Sequence, residues 1–189
     1  MNGNLEWESP HELNALRILD CDPKIASFYD QPCEIVYVQA GEQRRHYPDI
    51  LVEFAFNGRK EIWEVKTETE ASRPEVASRT ALMAEHLPAW GYQYRIAVAS
   101  ELSLQPRLRN SCKLLDFGRN SISEDAREKI RRAVAAGENL DWLSACAGKY
   151  GPRGREVLCR LALEGYLQVE MNSEWSKETR FSVAAGARW

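Results

Sequence analysis

The sequence has few of the residues on which zinc sites and disulfide frameworks depend. Its five cysteines are scattered, no CxxC pair occurs, and its three histidines do not cluster. An odd number of dispersed cysteines argues against a disulfide framework, and their spacing argues against a zinc site. We interpret these cysteines as small core residues of a protein from a reducing cytosol.

Long apolar runs and basic tracts are missing as well. No run of about 18 apolar residues is present, so we expect no membrane span, and the opening "MNGNLEWESP" lacks the pattern of a signal peptide. The net charge of −3 includes no polybasic arm. This balance excludes a protein that coats nucleic acid by charge alone. If the protein acts on DNA, we expect a partner to help hold it there.

Residues 1–119 are predicted to form a small mixed α/β domain. Ser9-Pro10-His11-Glu12 opens a helix as a capping box with proline at the first helical position. The further predicted elements are a strand at 33–39, a polar turn at 40–46, a hairpin of "DILVEFAF" and "RKEIWEVK", a helix at 74–90 and a strand at 92–100. The last strand follows a helical crossover and can therefore pair in parallel.

Residues 120–189 have a different character. Helical patterns cover 121–137, 141–151 and 153–165, and the segments "YLQVEM" and "TRFSVAA" then flank a polar turn. Three helices followed by a β-hairpin predict a winged helix-turn-helix.

The hairpin brings acidic and basic residues together. If Asn57-Gly58 forms a two-residue type I′ turn, Asp49 lies opposite Lys66, and Leu51 lies opposite Glu64. Opposed residues share a face of the sheet, as do residues two apart on one strand. Asp49, Glu64 and Lys66 are therefore predicted to project from one face.

This arrangement has two interpretations. Two neighbouring carboxylates can share Mg²⁺, with the backbone carbonyl of Val65 as a further ligand and Lys66 beside the attacking water. Alternatively, Asp49 and Lys66 form a cross-strand ion pair, and Glu64 is a solvated strand residue. Glu12 is equally open, because it lies on the apolar stripe of its helix but is also explained by the capping box with Ser9.

The motifs "YPD" and "EVK" on this frame resemble the PD-(D/E)xK nuclease superfamily. The segments "ESPHELNALRILDCDPKIASFYDQP", "RRHYPDILVEF", "IWEVK", "RIAVASEL" and "RLRNSCKLL" resemble the TnsA-like endonuclease subunits of heteromeric transposases. The resemblance implies a restriction-endonuclease-like mixed sheet of αβββαβ order over residues 1–119, followed by the winged-helix-like domain at 120–189. Some members of this family carry glutamine at the position of Glu64.

Carried over by position, the resemblance implies Glu12, Asp49 and Glu64 as catalytic metal ligands and Lys66 as the catalytic lysine. It also implies Mg²⁺, with Mn²⁺ as a substitute, and cleavage of the 5′ strand at the ends of a mobile element. The implied partners are DNA, a DDE-type transposase subunit and an ATPase regulator, in the bacterial cytosol and at the nucleoid once assembled.

Basic residues elsewhere are weaker candidates for DNA contacts. They are Arg107, Arg109 and Lys113 after the last strand, and Arg153, Arg155 and Arg160 on the predicted recognition helix. A solvated surface or a protein-docking helix would explain them equally well. Two other functions also remain open, a stand-alone nuclease for restriction, repair or junction resolution, and a non-catalytic adaptor on the same frame.

Overall fold

The computed structural model describes residues 9–187, and these divide into two compact units. The first unit comprises the chain up to Leu19 together with Lys24–Ser103, and the second comprises Asp20–Pro23 together with the chain from Leu104. No helix of residues 9–187 has both the length and the hydrophobicity that crossing a membrane requires.

The first unit is built on a four-stranded mixed sheet. Its elements are α1 (Pro10–Asp20, whose last residue belongs to the second unit), β1 (Ile25–Asp30), β2 (Ile35–Gln39), β3 (Glu42–His46), β4 (Ile50–Phe54), β5 (Lys60–Lys66), α2 (Glu68–Ala71), α3 (Pro74–His86) with a 3₁₀ turn (Leu87–Trp90), β6 (Tyr92–Val98) and α4 (Ala99–Leu102). The strand order is β1-β4-β5-β6. The β5–β6 pair is parallel, as the crossover through α3 predicts, and the other two pairs are antiparallel.

The two faces of this sheet carry different side chains. Trp63 and Val65 of β5 pack with Leu16 and Leu19 of α1 in the buried core. Lys60, Ile62, Glu64 and Lys66 of β5 alternate with these positions and therefore point to the opposite face. Glu61 lies on the same face as Trp63, whose indole N–H donates a hydrogen bond to its carboxylate.

The strands differ from the predicted ones in two places. No strand is predicted at 25–30, yet β1 is the edge strand that pairs with β4. The predicted turn at 40–46 contains β3, which pairs with β2 in a separate two-stranded sheet. Ala40 and Gly41 form the reversal, with φ of 53° and 81°. Most side chains of β3 are exposed, so its sequence lacks the apolar alternation that identifies a strand.

The predicted register of the β4–β5 hairpin was also wrong, by two residues. Ile50 pairs with Trp63 and Leu51 pairs with Ile62, and residues 55–58 form the loop closed between Phe54 and Arg59. A type I′ turn needs positive φ at both central positions, but of that pair only Gly58 has it, at 63°. A shift of two residues leaves every side chain on its predicted face.

The second unit consists of short helices and a three-stranded sheet. Its elements are α5 (Arg107–Gly118), α6 (Glu124–Ala135), β7 (Leu140–Asp141), α7 (Trp142–Cys146), α8 (Gly154–Leu163), β8 (Leu167–Val169) and β9 (Arg180–Val183), with strand order β7-β9-β8. The Ser123 hydroxyl caps α6 by accepting a hydrogen bond from the Ala126 amide. Helix α5 belongs to this unit, whereas the sequence had assigned residues 1–119 to the first domain.

The core of the second unit surrounds α8. Leu158 and Leu161 of this helix are fully buried, and Gly118 of α5 lies where an added Cβ would come within 2.9 Å of the Cys159 backbone. Beside α8, Glu164 accepts hydrogen bonds from Arg127 at 2.5 and 2.8 Å and from Arg160 at 2.6 Å. The bonds from Arg127 are the main cause that lowers the pKa of Glu164, and they outweigh the effect of burial.

The variant Glu164→Gln should lower the free energy of unfolding by about 1–2 kcal/mol near neutral pH, because two arginines lose their carboxylate. The pKa of Glu164 lies below its ordinary value of 4.5 in the folded state. Its stabilisation is therefore complete above that value and is lost as the pH falls through the folded-state pKa. Urea unfolding of both proteins at several pH values measures the difference.

The matched control is Glu128→Gln, which removes an exposed carboxylate that contacts Arg131 and Arg132 on α6. We expect a smaller loss of stability, because exposed ion pairs are screened by water. Equal effects of the two substitutions would contradict the role assigned to Glu164.

Candidate functional site

Asp49 lies at the point where the β4–β5 ladder ends. Continuing the observed register by one residue sets it opposite Glu64. Its Oδ2 accepts a 2.6 Å hydrogen bond from the Val65 amide, which ties the start of β4 to β5. Burial raises the pKa of Asp49, the Val65 amide and the charge of Lys66 oppose this, and the charges of Glu12 and Glu64 raise it further. The structure therefore brings three acidic residues within electrostatic reach of one another.

Glu64 is the most enclosed acidic side chain of the site, with 2% of its surface exposed. Its Oε1 contacts Arg79 at 2.5 Å and Lys66 at 3.2 Å. Its Oε2 accepts a hydrogen bond from the Tyr94 hydroxyl and lies 3.2 Å from His46 Nε2. Burial alone would raise the pKa of Glu64, but the contacts with His46 and Tyr94 and the charge of Lys66 lower it to about 2.

Lys66 lies between the two strand carboxylates. Its Nζ is 3.7 Å from Asp49 Oδ2 and 3.2 Å from Glu64 Oε1, and it donates a 3.1 Å hydrogen bond to the Val65 carbonyl. The side chain remains one-quarter exposed. The arrangement leaves the ammonium group accessible while fixing its position from two sides.

Glu12 combines both roles that the sequence left open. Its backbone amide donates to Ser9 Oγ at 3.2 Å, and the same hydroxyl donates to Glu12 Oε1 at 2.7 Å. The charge of Glu12 also acts on Asp49. The capping contact and proximity to the site are therefore compatible.

The oxygen atoms of this site suit a hard divalent cation. Carboxylate and carbonyl oxygens suit Mg²⁺, and Asp49, Glu12 and Val65 offer such groups. Among residues 9–187, the Val65 amide and the Lys66 ammonium both contact the Oδ2 atom of Asp49. In the same range, no three His, Cys, Asp or Glu side chains are already arranged around a metal position. The residue types fit an ion, whereas Glu64 is committed to other partners.

Three residues of this site were missed by sequence reasoning: His46, Arg79 and Tyr94. They lie on β3, α3 and β6 and meet at Glu64. His46 directly precedes "YPD", which is the only local signal. Arg79 and Tyr94 are 15 and 30 residues from Glu64 along the chain, so no short motif contains them.

The candidate DNA-contacting residues all belong to the second unit, and most have internal partners. Arg109 pairs with Glu174 at 2.8 Å. On α8 and just before it, Arg153 pairs with Glu156, Arg155 lies over the Phe117 ring at 4.7 Å, and Arg160 pairs with Glu164. Arg107 and Lys113 lie half-buried on α5. A carboxylate therefore compensates the charge of Arg160, and an aromatic ring holds the guanidinium of Arg155.

A comparison with protein families gives one match. A family model described as "TnsA-like endonuclease N terminal" matches residues 22–143, which is more than half of the chain. The matched range contains Asp49, Glu64 and Lys66, and it begins after Glu12. A comparison with curated proteins finds no significant match.

The variant Arg79→Met should lower the free energy of unfolding by roughly 2–3 kcal/mol, because it leaves the buried Glu64 carboxylate without its shortest cationic contact. In a double-mutant cycle with Glu64→Gln, we expect a coupling of more than about 1 kcal/mol. Chemical denaturation measures both quantities.

Arg73→Met is the control for this cycle, since Arg73 is exposed at the start of the same helix. It should change stability little and show no coupling to Glu64→Gln. A coupling of zero for Arg79 would mean that its contact with Glu64 contributes nothing to folding.

Proposed function

Because this chain belongs to the TnsA-like endonuclease family, we propose that it is the metal-dependent DNA endonuclease subunit of a heteromeric transposase. In this proposal it hydrolyses a phosphodiester of the 5′ strand at the ends of a mobile element. The observation that carries the proposal is the convergence of Asp49, Glu64 and Lys66 at one end of the β4–β5 hairpin. The family match supplies the nuclease activity and the transposase context in general terms.

Asp49 and Glu12, together with the Val65 carbonyl, are proposed to hold Mg²⁺ or Mn²⁺. When bound, such an ion lowers the pKa of a coordinated water and neutralises charge on the phosphodiester. The Val65 amide fixes one oxygen of Asp49, so the carboxylate keeps a defined orientation. The contact between Ser9 and Glu12 Oε1 orients the second carboxylate.

Lys66 is proposed as the catalytic lysine. Its ammonium group is held between two carboxylates and is partly exposed, so it can orient a water against phosphorus or stabilise the pentavalent phosphorus. In the hydrolysis, the water oxygen forms the new bond to phosphorus, and the leaving strand oxygen departs. The protein supplies position and charge for this step.

The second unit is proposed to be a winged-helix domain. The order α6–β7–α7–α8–β8–β9 and the sheet order β7-β9-β8 support this assignment. Because the arginines on α8 already have internal partners, we favour docking of a protein over groove reading by this helix. The proposed protein partners are a DDE-type transposase subunit, which cuts and joins the other strand, and an ATPase regulator, assembled at the nucleoid of a bacterial cytosol.

Asp49→Ala and Lys66→Ala should each abolish cleavage of the 5′ strand in the assembled transposition system, because each removes a group that acts at the phosphodiester. Nicking of end-labelled element DNA measures the activity, and circular dichroism verifies the fold. Lys60→Ala, on the same strand, is the matched control and should cleave normally. Wild-type rates from the Asp49 or Lys66 variant would overturn the assignment.

Titration calorimetry with Mn²⁺ distinguishes the proposed enzyme from an adaptor on the same frame. We expect the wild-type protein to bind the ion and Asp49→Ala to lose that binding, because the carboxylate is the central ligand of the proposal. Binding that does not depend on Asp49 would favour the adaptor. Cleavage of bare DNA by the isolated chain would favour a stand-alone nuclease.

A further inference from the structure

We infer that Glu64 is a positioning residue that fixes Lys66 and does not ligate the divalent ion. Arg79, Tyr94 and His46 hold the Glu64 carboxylate in place. This inference rests on the proposed nuclease function but assigns Glu64 a role different from the one that the family resemblance implies. We call Glu64, Arg79, Tyr94 and His46 the Glu64 cluster.

The first argument is that the carboxylate of Glu64 has no remaining acceptor capacity. A carboxylate offers about four lone-pair positions. Arg79 and Lys66 contact Oε1, and Tyr94 and His46 contact Oε2. The side chain is also 2% exposed. An ion could reach it only by displacing one of these donors.

The second argument is the contrast with Asp49. In the described part of the chain, the Val65 amide and Lys66 approach the Asp49 side chain at the same oxygen, and this side chain is 21% exposed. A hard cation therefore finds an accessible carboxylate oxygen at Asp49 and a saturated one at Glu64. The two carboxylates of the motif are not equivalent.

The third argument is charge. The guanidinium of Arg79 and the ammonium of Lys66 lie within 3.2 Å of the same oxygen of Glu64. A divalent cation at Glu64 would meet both of these cations in a buried setting, whereas at Asp49 and the Val65 carbonyl it would meet Lys66 without Arg79. The same geometry suits an anchor, because a carboxylate held rigidly by Arg79 and Tyr94 leaves Lys66 little freedom to move away from Asp49.

The residues that hold Glu64 come from three elements, β3, α3 and β6. His46 Nε2 lies 3.0 Å from the Tyr94 hydroxyl, so the two side chains that contact Oε2 also contact each other. Arg79 approaches from α3 on the other oxygen. Each donor thus fixes one side of the carboxylate, as preorganised supporting shells do.

The test compares Glu64→Gln with Glu61→Gln. Glu61 lies on the same strand, is also buried, and bonds Trp63 and Arg59 instead of Lys66. We expect both variants to bind Mn²⁺ with wild-type affinity in calorimetry. At saturating metal, Glu64→Gln should cleave more slowly by about tenfold, the effect of losing a charged hydrogen bond, while Glu61→Gln stays active. Arg79→Gln should behave like Glu64→Gln, and Arg79→Lys should recover part of the rate.

A second measurement needs no metal and no activity. Limiting acetic anhydride followed by peptide mass spectrometry reports the acetylation rate of Lys66, with Lys60 as the internal reference. The rate should rise severalfold in Glu64→Gln and in Arg79→Gln and stay unchanged in Glu61→Gln. An unchanged rate in Glu64→Gln would show that Glu64 does not hold the lysine.

The outcomes separate the inference from the proposed function. If Glu64→Gln weakens Mn²⁺ binding tenfold or more, the inference is overturned and Glu64 is restored as a ligand. A loss of this size is expected when a metal site loses an interaction. Absence of Mn²⁺ binding or of cleavage in the wild-type protein would overturn the proposed function instead. In that case the acetylation rates still decide whether Glu64 positions Lys66.

Discussion

The hydrogen bond from the Val65 amide to Asp49 Oδ2 determines the geometry of the site. It is 2.6 Å long and forms where the ladder of β4 and β5 ends, so it extends the strand pairing through a side chain. Without it, Asp49 would stand on a chain segment with no bond to β5. With it, Asp49 is joined to the stretch of β5 that carries the Val65 carbonyl and Lys66.

The electrostatic balance of the first unit follows from that placement. Burying a charge is costly unless partners and hydrogen bonds compensate. Glu64 meets this requirement with four donors, whereas Asp49 stays partly exposed with a raised pKa. One carboxylate is thereby stabilised as a fixed anion, and its neighbour is stabilised less fully. Such unequal pairs allow two chemically identical groups to serve different purposes.

The sequence predicted the shared face of Asp49, Glu64 and Lys66 better than it predicted the surrounding strands. Asp49, Glu64 and Lys66 share a face because side chains alternate with a period of two, and this held although the register was wrong. Strands β1 and β3 were missed because each has a single buried side chain, Phe28 and His46, and so lacks clear apolar alternation. Arg79 and Tyr94 were beyond local reasoning, since only the packing of α3 and β6 on the sheet brings them to Glu64.

The loop at residues 55–58 has a consequence for how this chain can change during evolution. Its tip is unconstrained by packing, as Phe56 is 99% exposed. The loop can therefore change in length without moving the paired strands on either side of it. A gain or loss of one residue within β5 itself would have a different effect. It would exchange Glu64 and Lys66 with Trp63 and Val65 and turn their charges toward the apolar core.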